Sequence, residues 1–225
     1  MVIELASLVI TVVFFILCRW IYKKTKFDVL TPILTTPILL VAVLLITRIP
    51  YANYRAGTNI VTYFLQPATV AFAVPLYQNI KLLQRNVVQM LVSILSGVVI
   101  AITAAFFLGK LLNVNLTLIK SMVPKSITTP IAMDVSTAIG GNPTLTAVFV
   151  IITALTGITI GPLVIRLLHI KTPIARGVLF GTSAHSAGTS KAFEYGAVEG
   201  AMSSISMIIA AIVTLFIAPY LVPAL

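Results

Sequence analysis

Residues 124–143 read PKSITTPIAMDVSTAIGGNP and place charges, hydroxyl groups and helix-breaking residues inside an otherwise apolar chain. Lys125 and Asp134 are the two charged residues of this stretch. Polar backbone that is interrupted by proline and glycine is tolerated at membrane depth only where it is buried in protein or lines a cavity. Ionisable residues at that depth usually mark a substrate or ion pathway. The stretch therefore predicts where the protein does its work.

The chain as a whole has the composition of a membrane protein, with 59% hydrophobic and 9% charged residues and a mean hydropathy of +1.11. Several uncharged runs are long enough for a helix of about 20 residues, which crosses a hydrocarbon core of roughly 30 Å. These runs are 29–47, 56–80, 86–109, 135–165 and 200–225. They predict an all-α, polytopic membrane helix bundle that forms a single integral membrane domain over 1–225.

The distribution of apolar residues along the chain defines eight segments, namely 3–22, 30–47, 58–78, 87–109, 116–139, 144–165, 173–192 and 200–222. The third, fifth and seventh segments contain proline, glycine or many small residues, and such interruptions in matching positions of two halves are typical of transporter binding sites. We therefore expect inverted-repeat-like halves, 1–109 and 110–225, with 58–78 and 173–192 as the matched pair. The predicted helix-breaking residues are Pro67, Pro75, Pro124, Pro130, Gly140, Gly141, Gly181 and Gly188.

The distribution of Lys and Arg tests the topology, because cytoplasmic loops carry more of them. Eight simple crossings place seven of the 15 basic residues on the cytoplasmic side and eight on the outer side, so this topology shows no bias. A re-entrant 110–143, with 173–192 kept as a crossing, places nine inside and six outside. The count favours the re-entrant segment.

The net charge of +10 comes mainly from short loops, so a nucleic-acid partner is not expected. The single cysteine, Cys18, excludes a disulfide within the chain and is interpreted as a packing residue. Residues 181–185 lack the last glycine of the Gly-x-Ser-x-Gly nucleophile motif, and no phosphate-binding loop occurs. The two histidines have no cysteine cluster near them, so we expect no metal site, no cofactor and no enzymatic activity.

Lys125 and Asp134 lie nine residues apart with Pro130 between them. They could form an ion pair that allows a polar segment to insert. Alternatively, Lys125 attracts an organic anion while the ends of broken helices offer it unpaired N–H groups, which the surrounding hydroxyls and glycines favour. The neutral side chains predicted to bind or pass the substrate are Gln66, Thr69, Tyr77, Ser126, Thr128, Thr129, Asn142, Ser186 and Thr189.

His185 stands among glycine and hydroxyl residues within a nominal membrane segment. A lone histidine is more often structural, but here it could bind a carboxylate or carry the proton of a symport cycle. Glu194 and Glu199 are a further candidate pair for ion coupling. Their spacing of five does not place them on one helix face, so they could equally mark the end of a loop.

Five blocks resemble the LrgB/CidB family: QPATVAFAVPLY at 66–77, PKSITTPIAM at 124–133, IGGNP at 139–143, GTSAHSAGT at 181–189 and EGAMS at 199–203. The resemblance implies a multi-pass protein of the bacterial cell membrane, antiholin-like or holin-like, linked to murein hydrolase export and cell lysis. It also implies a small LrgA/CidA-type membrane partner, and similar domains carry glycolate, glycerate or pyruvate. Ser186 stands where family members often have glycine after the histidine.

Two functions remain open. The first is a secondary transporter of small monocarboxylate anions that works with such a partner in the lipid bilayer, and the sequence is also compatible with a homo-oligomer. The second is a holin-like or antiholin-like permeability module without a specific substrate. The amount of polar detail at membrane depth favours the transporter.

Overall fold

The computed structural model describes residues 2–25, 30–64, 67, 70–71, 73–78 and 80–224. The secondary structure of this part of the chain is helical, as predicted. The helices are α1 (Val2–Thr25), α2 (Pro32–Thr47), α3 (Tyr51–Tyr63), α4 (Ala73–Gln78), α5 (Ile80–Leu111), α6 (Leu116–Met122), α7 (Thr129–Ala138), α8 (Pro143–Leu167), α9 (Pro173–Tyr195) and α10 (Ala197–Ala224).

The chain divides into two compact units, Met1–Ala73 and Val74–Leu225. In the first unit, α1 packs against both α2 and α3. Thr11 Oγ1 of α1 lies 2.9 Å from the Tyr54 hydroxyl of α3, so a polar contact joins these two helices. The assignment of 1–225 to one membrane domain, with repeats 1–109 and 110–225, stays a prediction.

Among the described residues, four helices are long and apolar enough to cross a membrane, and they lie in α1, α5, α8 and α10. The spans are Ala6–Thr25, Gln84–Leu111, Pro143–Leu167 and Ala197–Pro223. Large apolar side chains are exposed along them, as lipid-facing surfaces require. The predicted multi-pass helix bundle is therefore confirmed, and the last three spans form the frame of the second unit.

The first helical hairpin consists of α6, a turn at 123–128 and α7. At its start, a Cβ placed on Gly109 of α5 would lie 2.6 Å from the Ile119 side chain. Further on, Pro124 and Ile127 line a pocket together with Gly97 and other residues from the middle of α5. The chain thus runs back along α5 from its end to its middle, which confirms the predicted interruption of segment 116–139.

The second hairpin is α9 itself, which breaks at His185, where φ is 40° and ψ is −123°. The Phe180 and Tyr195 rings lie 5.5 Å apart, whereas 15 residues of straight helix span about 22 Å. Gly188 lies directly against the Phe180 carbonyl for the same reason. The expectation that 173–192 crosses the membrane as a single segment is wrong, because the halves 173–184 and 186–195 fold back on each other.

Small residues allow the second hairpin to pack tightly between α8 and α10. A Cβ on Gly157 of α8 would lie 2.6 Å from Ala184 Cβ, and one on Gly161 would lie 2.7 Å from the Phe180 ring. On the opposite side, a Cβ on Gly177 would meet the Glu199 carbonyl at 2.6 Å, and Gly181 lies against the Ser203 carbonyl. The helix backbones therefore approach more closely than any side chain would permit.

Both hairpin turns reach the middle of the long helices. Gly97, beside the first turn, is near the centre of the span Gln84–Leu111. His185, at the second turn, contacts the carbonyl of Val150, and its neighbour Ala184 faces Gly157, so this turn lies near the centre of the span Pro143–Leu167. The two turns are thus at a similar depth within the second unit.

Candidate functional site

The first turn has a buried apolar base and a polar surface. Val123, Pro124 and Ile127 are buried, whereas Lys125 and Ser126 are half-buried. The Lys125 N–H donates to the Met122 carbonyl at 3.2 Å, and the Ile127 N–H donates to the Pro124 carbonyl at 3.4 Å. These bonds fix the backbone of the turn and leave the two polar side chains at its tip.

Within the described part of the chain, the Lys125 ammonium has neither an ion pair nor a hydrogen bond. Asp134 is exposed on α7 and is also unpaired there. The alternative in which Lys125 and Asp134 form an ion pair is therefore wrong for this structure. The turn carries a positive charge that no neighbouring described carboxylate neutralises.

Helix α7 begins at the same turn. Thr128 is its N-cap residue, but its side chain makes no capping hydrogen bond, and Pro130 lies in the first turn of the helix. The N-terminus of a helix carries unpaired N–H groups and a partial positive charge. Thr128, Thr129 and Pro130 therefore start a helix here, and Pro130 does not interrupt one as the sequence suggested.

The second turn is held by His185, whose side chain is 4% exposed. His185 Nε2 lies 3.3 Å from the Val150 carbonyl of α8, and since a carbonyl only accepts, Nε2 carries the hydrogen. Nδ1 lies 3.5 Å from the hydroxyl of Ser186, which is exposed. Thr182 and Ser183 donate to carbonyls one turn earlier, a pattern that bends helices and here comes just before the break.

A pocket lies between the first turn and the helices α5, α9 and α10. Including its open mouth, it contains about 250 Å³ of space, and its enclosed part has room for about one water molecule. The hairpin side contributes a polar edge through Ser126, and Thr182 and Thr214 add hydroxyls. The lining residues are Gly97, Val98, Ala101, Ile102, Val123, Pro124, Ser126, Ile127, Thr182 and Thr214.

The base of the first hairpin is closed by a buried hydroxyl cluster. Thr146 Oγ1 of α8 lies 2.7 Å from Ser136 Oγ and 3.0 Å from the Ser121 carbonyl. The Asn142 N–H donates to Ser121 Oγ at 2.7 Å. A Cβ on Gly141 would lie 2.5 Å from Ser136 Oγ, so only glycine fits where these segments meet. The cluster joins α6, α7 and the start of α8.

Asn142 and Gly140 have structural positions at this base. Asn142 caps α8, and its side-chain oxygen accepts from the N–H groups of Thr144 and Leu145 at 3.0 and 3.2 Å. Gly140 has φ +78°, a conformation that favours glycine. Both residues adjoin the end of α6, since the Asn142 N–H donates to Ser121 Oγ and a Cβ on Gly140 would lie 3.5 Å from Lys120 Nζ.

At the base of the second hairpin, the two predicted coupling carboxylates have separate partners. Glu199 is buried, and its Oε1 lies 3.8 Å from Arg176 Nη1. Glu194 is bonded to Lys191 at 2.9 Å. Thr189 is buried, and its hydroxyl lies 3.0 Å from Ser203 Oγ of α10. Each of the two carboxylates therefore has a basic partner of its own.

Segment 58–78 contains three of the side chains predicted to bind or pass the substrate, namely Gln66, Thr69 and Tyr77. Gln66 and Thr69 lie outside the described residues, and nothing is described of the Pro75 side chain within α4. Pro67 is exposed, and Tyr77 is 80% exposed. In the described ranges, no group of three His, Cys, Asp or Glu side chains could hold a metal ion.

Gly97, Val150 and Thr214 are contact residues of the site that the sequence did not single out. For Gly97, the sequence did offer one signal. It is an isolated glycine in the uncharged helical run 86–109, and such a glycine usually has a packing or functional reason. Val150 contributes only its backbone carbonyl, so its side chain could not reveal its role.

The family model described as LrgB-like matches residues 11–224. The relative YwbG of Bacillus subtilis is 49% identical over 221 residues, which cover 98% of each chain. The Antiholin-like protein LrgB of Bacillus subtilis is 36% identical and is matched over 96% of this chain and 94% of its own. The protein of that name from Bacillus cereus is 32% identical over 90% of this chain and 89% of its own.

No solved structure matches the chain. The family match over nearly the whole length agrees with the four helices able to cross a membrane in the part of the chain that the structure describes. The chain therefore belongs to the LrgB-like family of multi-pass proteins of the bacterial cell membrane.

Proposed function

We propose that the protein is a secondary transporter of small monocarboxylates, of the size of pyruvate or glycolate, and that its substrate site lies between the two hairpin turns. The observation that carries the proposal is an unpaired Lys125 beside a polar-edged pocket at mid-depth. Transporter sites of this kind are built at the broken ends of helices near the middle of the bilayer.

The order of the elements supports an inverted arrangement of the hairpins. If α5, α8 and α10 each cross once, each hairpin returns the chain to the side from which it came. The first hairpin follows α5 and the second follows α8, so they enter from opposite sides and their turns approach each other. The pocket, which both hairpins line, then lies between two gates, as alternating access requires.

The charges of the second unit support the same topology. The side that holds the start of α5, the end of α8 and the base of the second hairpin has six basic residues, and the other side has two. The six are Lys81, Arg85, Arg166, Lys171, Arg176 and Lys191, and the two are Lys110 and Lys120. The positive-inside bias therefore makes the first of these sides cytoplasmic.

The chemistry of the first turn suits a carboxylate. A carboxylate accepts hydrogen bonds only, and bonds to a charged donor are stronger than those to a neutral one. Lys125 supplies the charge, and the hydroxyls of Ser126, Thr128 and Thr129 supply neutral donors at the start of α7. The dipole of α7 also favours an anion at this end.

His185 is the candidate for coupling, because it is the buried titratable side chain at the second turn. Its bond to the Val150 carbonyl gives it a structural role as well. Glu194 and Glu199 are engaged with Lys191 and Arg176, which favours structural roles for these two carboxylates.

Uptake of labelled pyruvate and glycolate into proteoliposomes under a pH gradient tests the proposal, with and without a small LrgA/CidA-type partner. The key variant is Lys125→Gln, and Lys120→Gln is its control, because it removes the same charge from the last turn of α6, outside the turn at 123–128. We expect saturable uptake by the wild type and by the control. In Lys125→Gln, kcat/KM should fall about tenfold or more, since hydrogen bonds to a charged group contribute about 1.5–3 kcal/mol.

The names of the relatives favour a second candidate, an antiholin-like role in which the chain and a small partner restrain or form a membrane lesion. This role needs no internal substrate site. Leakage of chemically unrelated dyes that is equal in the wild type and in Lys125→Gln, without carboxylate uptake under any condition, would favour it and reject the transporter.

A further inference from the structure

We propose that Gly97 of α5 is a specificity-determining residue, whose missing side chain leaves room for the apolar end of a small carboxylate. The inference rests on the proposed function and adds a residue and a size limit to the same site. Gly97 lines the pocket together with Ser126 of the first turn and Thr182 of the second hairpin.

The surroundings of Gly97 differ from those of the other helical glycines in the second unit. A Cβ on Gly109, Gly157 or Gly177 would lie 2.6 Å from a neighbouring atom, so packing explains those three glycines. A Cβ on Gly97 would meet nothing within 4 Å. Packing therefore gives no reason for glycine at this position.

Helix formation gives no reason either, since glycine in a helix interior is about 0.5–1 kcal/mol less favourable than alanine. Gly97 lies deep inside α5, near the centre of the span Gln84–Leu111. The space that its absent side chain leaves belongs to the pocket, which accounts for a glycine that packing and helix propensity do not favour.

The lining of the pocket gives the substrate an orientation. The hairpin side offers Ser126 and lies next to Lys125, whereas the α5 side is apolar and consists of Val98, Ala101 and Ile102 around Gly97. A carboxylate therefore binds at the hairpin side, and its short carbon chain points toward Gly97. The Cα of residue 97 then sets the length of the chain that fits.

A series at position 97 tests the size limit in proteoliposomes, with Ala104→Leu as a control on the exposed surface of the same helix. We expect Gly97→Ala to lower kcat/KM for 2-oxobutyrate about tenfold relative to glycolate, because one methylene in an apolar pocket discriminates about 10–200-fold. Gly97→Leu should abolish uptake of both substrates. Wild-type uptake and selectivity in Gly97→Leu would overturn the inference and leave the transporter intact.

A second readout does not depend on transport. In a Cys18→Ser background, Gly97→Cys should react with a small water-soluble methanethiosulfonate reagent, and pyruvate should slow the reaction. Ala104→Cys should stay unreactive, because that position is exposed on a helix able to span the membrane and does not line the pocket. If Gly97→Cys is equally unreactive, or if pyruvate gives no protection, the site is wrong. Protection by pyruvate in a protein without uptake would keep the site and reject transport.

Discussion

Gly188 allows the second hairpin to fold back, and replacing it with alanine tests that geometry. The added methyl group would collide with the Phe180 carbonyl and would lie 2.8 Å from Ala184 Cβ. Carbon atoms in contact prefer about 3.5–4.0 Å, so the two halves of α9 must separate by about 1 Å. The Phe180 carbonyl belongs to the backbone and cannot rotate away.

The magnitude follows from two opposing effects. Overpacking of this kind costs typically about 1–3 kcal/mol, and we expect the upper end because backbone has to move. Replacing glycine with alanine in a helix interior stabilises the helix by about 0.5–1 kcal/mol. The net destabilisation of Gly188→Ala is then about 2 kcal/mol, which corresponds to about 4–8 °C in the melting temperature of a chain of this size.

Gly97→Ala is the matched control, since it has the same change in helix propensity but open space around the new methyl group. We expect it to melt about 1–4 °C above the wild type in detergent, as a gain of 0.5–1 kcal/mol implies. Thermal unfolding of the purified protein, scanned at one rate, measures both variants. Gly188→Ala that is as stable as Gly97→Ala would refute a hairpin folded at His185.

Three more predictions concern the bases of the hairpins and the second turn. Asn142→Ala should lower the stability by about 1 kcal/mol through loss of the α8 cap, and Asn142→Asp should keep the cap and the stability, as thermal unfolding would show. Arg176→Ala should destabilise the protein by about 1–3 kcal/mol, which is less than the loss of a fully buried ion pair costs, because Arg176 is partly exposed. In the same assay, adding Glu199→Gln to Arg176→Ala should restore part of the lost stability. His185→Gly should keep the fold, since glycine tolerates φ 40°, while uptake measurements should show loss of transport if the imidazole takes part in coupling.

The sequence predicts the long helices of the second unit well. Segments 87–109, 144–165 and 200–222 fall within α5, α8 and α10, because an uncharged run of that length specifies a spanning helix by hydrophobicity alone. The polar interruption of 116–139 is also found as a turn between two short helices. Local composition is sufficient for both features.

The sequence predicts an interruption of 173–192 at Gly181 and Gly188, but it does not predict that α9 folds back, because no proline lies inside 174–195. The break at His185 depends on the close approach of Gly188 to the Phe180 carbonyl, which is a tertiary contact between residues eight apart. Spacing along the chain also suggested an ion pair of Lys125 with Asp134. A turn followed by the start of α7 at Thr129 separates them, so sequence distance was a poor guide to spatial distance.

The site is only partly contained in the sequence. Lys125, Ser126 and His185 stand out as polar residues in apolar surroundings, and all three lie at the hairpin turns. Ser121 and Thr146 do not stand out, because single hydroxyls are common in membrane helices and bond to their own helix. Their joint contact with Ser136 depends on how three helices meet.

The most direct test of the account is the sidedness of the two hairpin bases. Single cysteines at positions 113, 142, 169 and 196, in a Cys18→Ser background, would be labelled with a membrane-impermeant thiol reagent in intact cells and in inverted vesicles. We expect 113 and 142 to react from one side, and 169 and 196 from the other. Labelling of 169 and 196 from opposite sides would mean that α9 crosses the membrane, and it would contradict the opposed hairpins on which the proposed transport site depends.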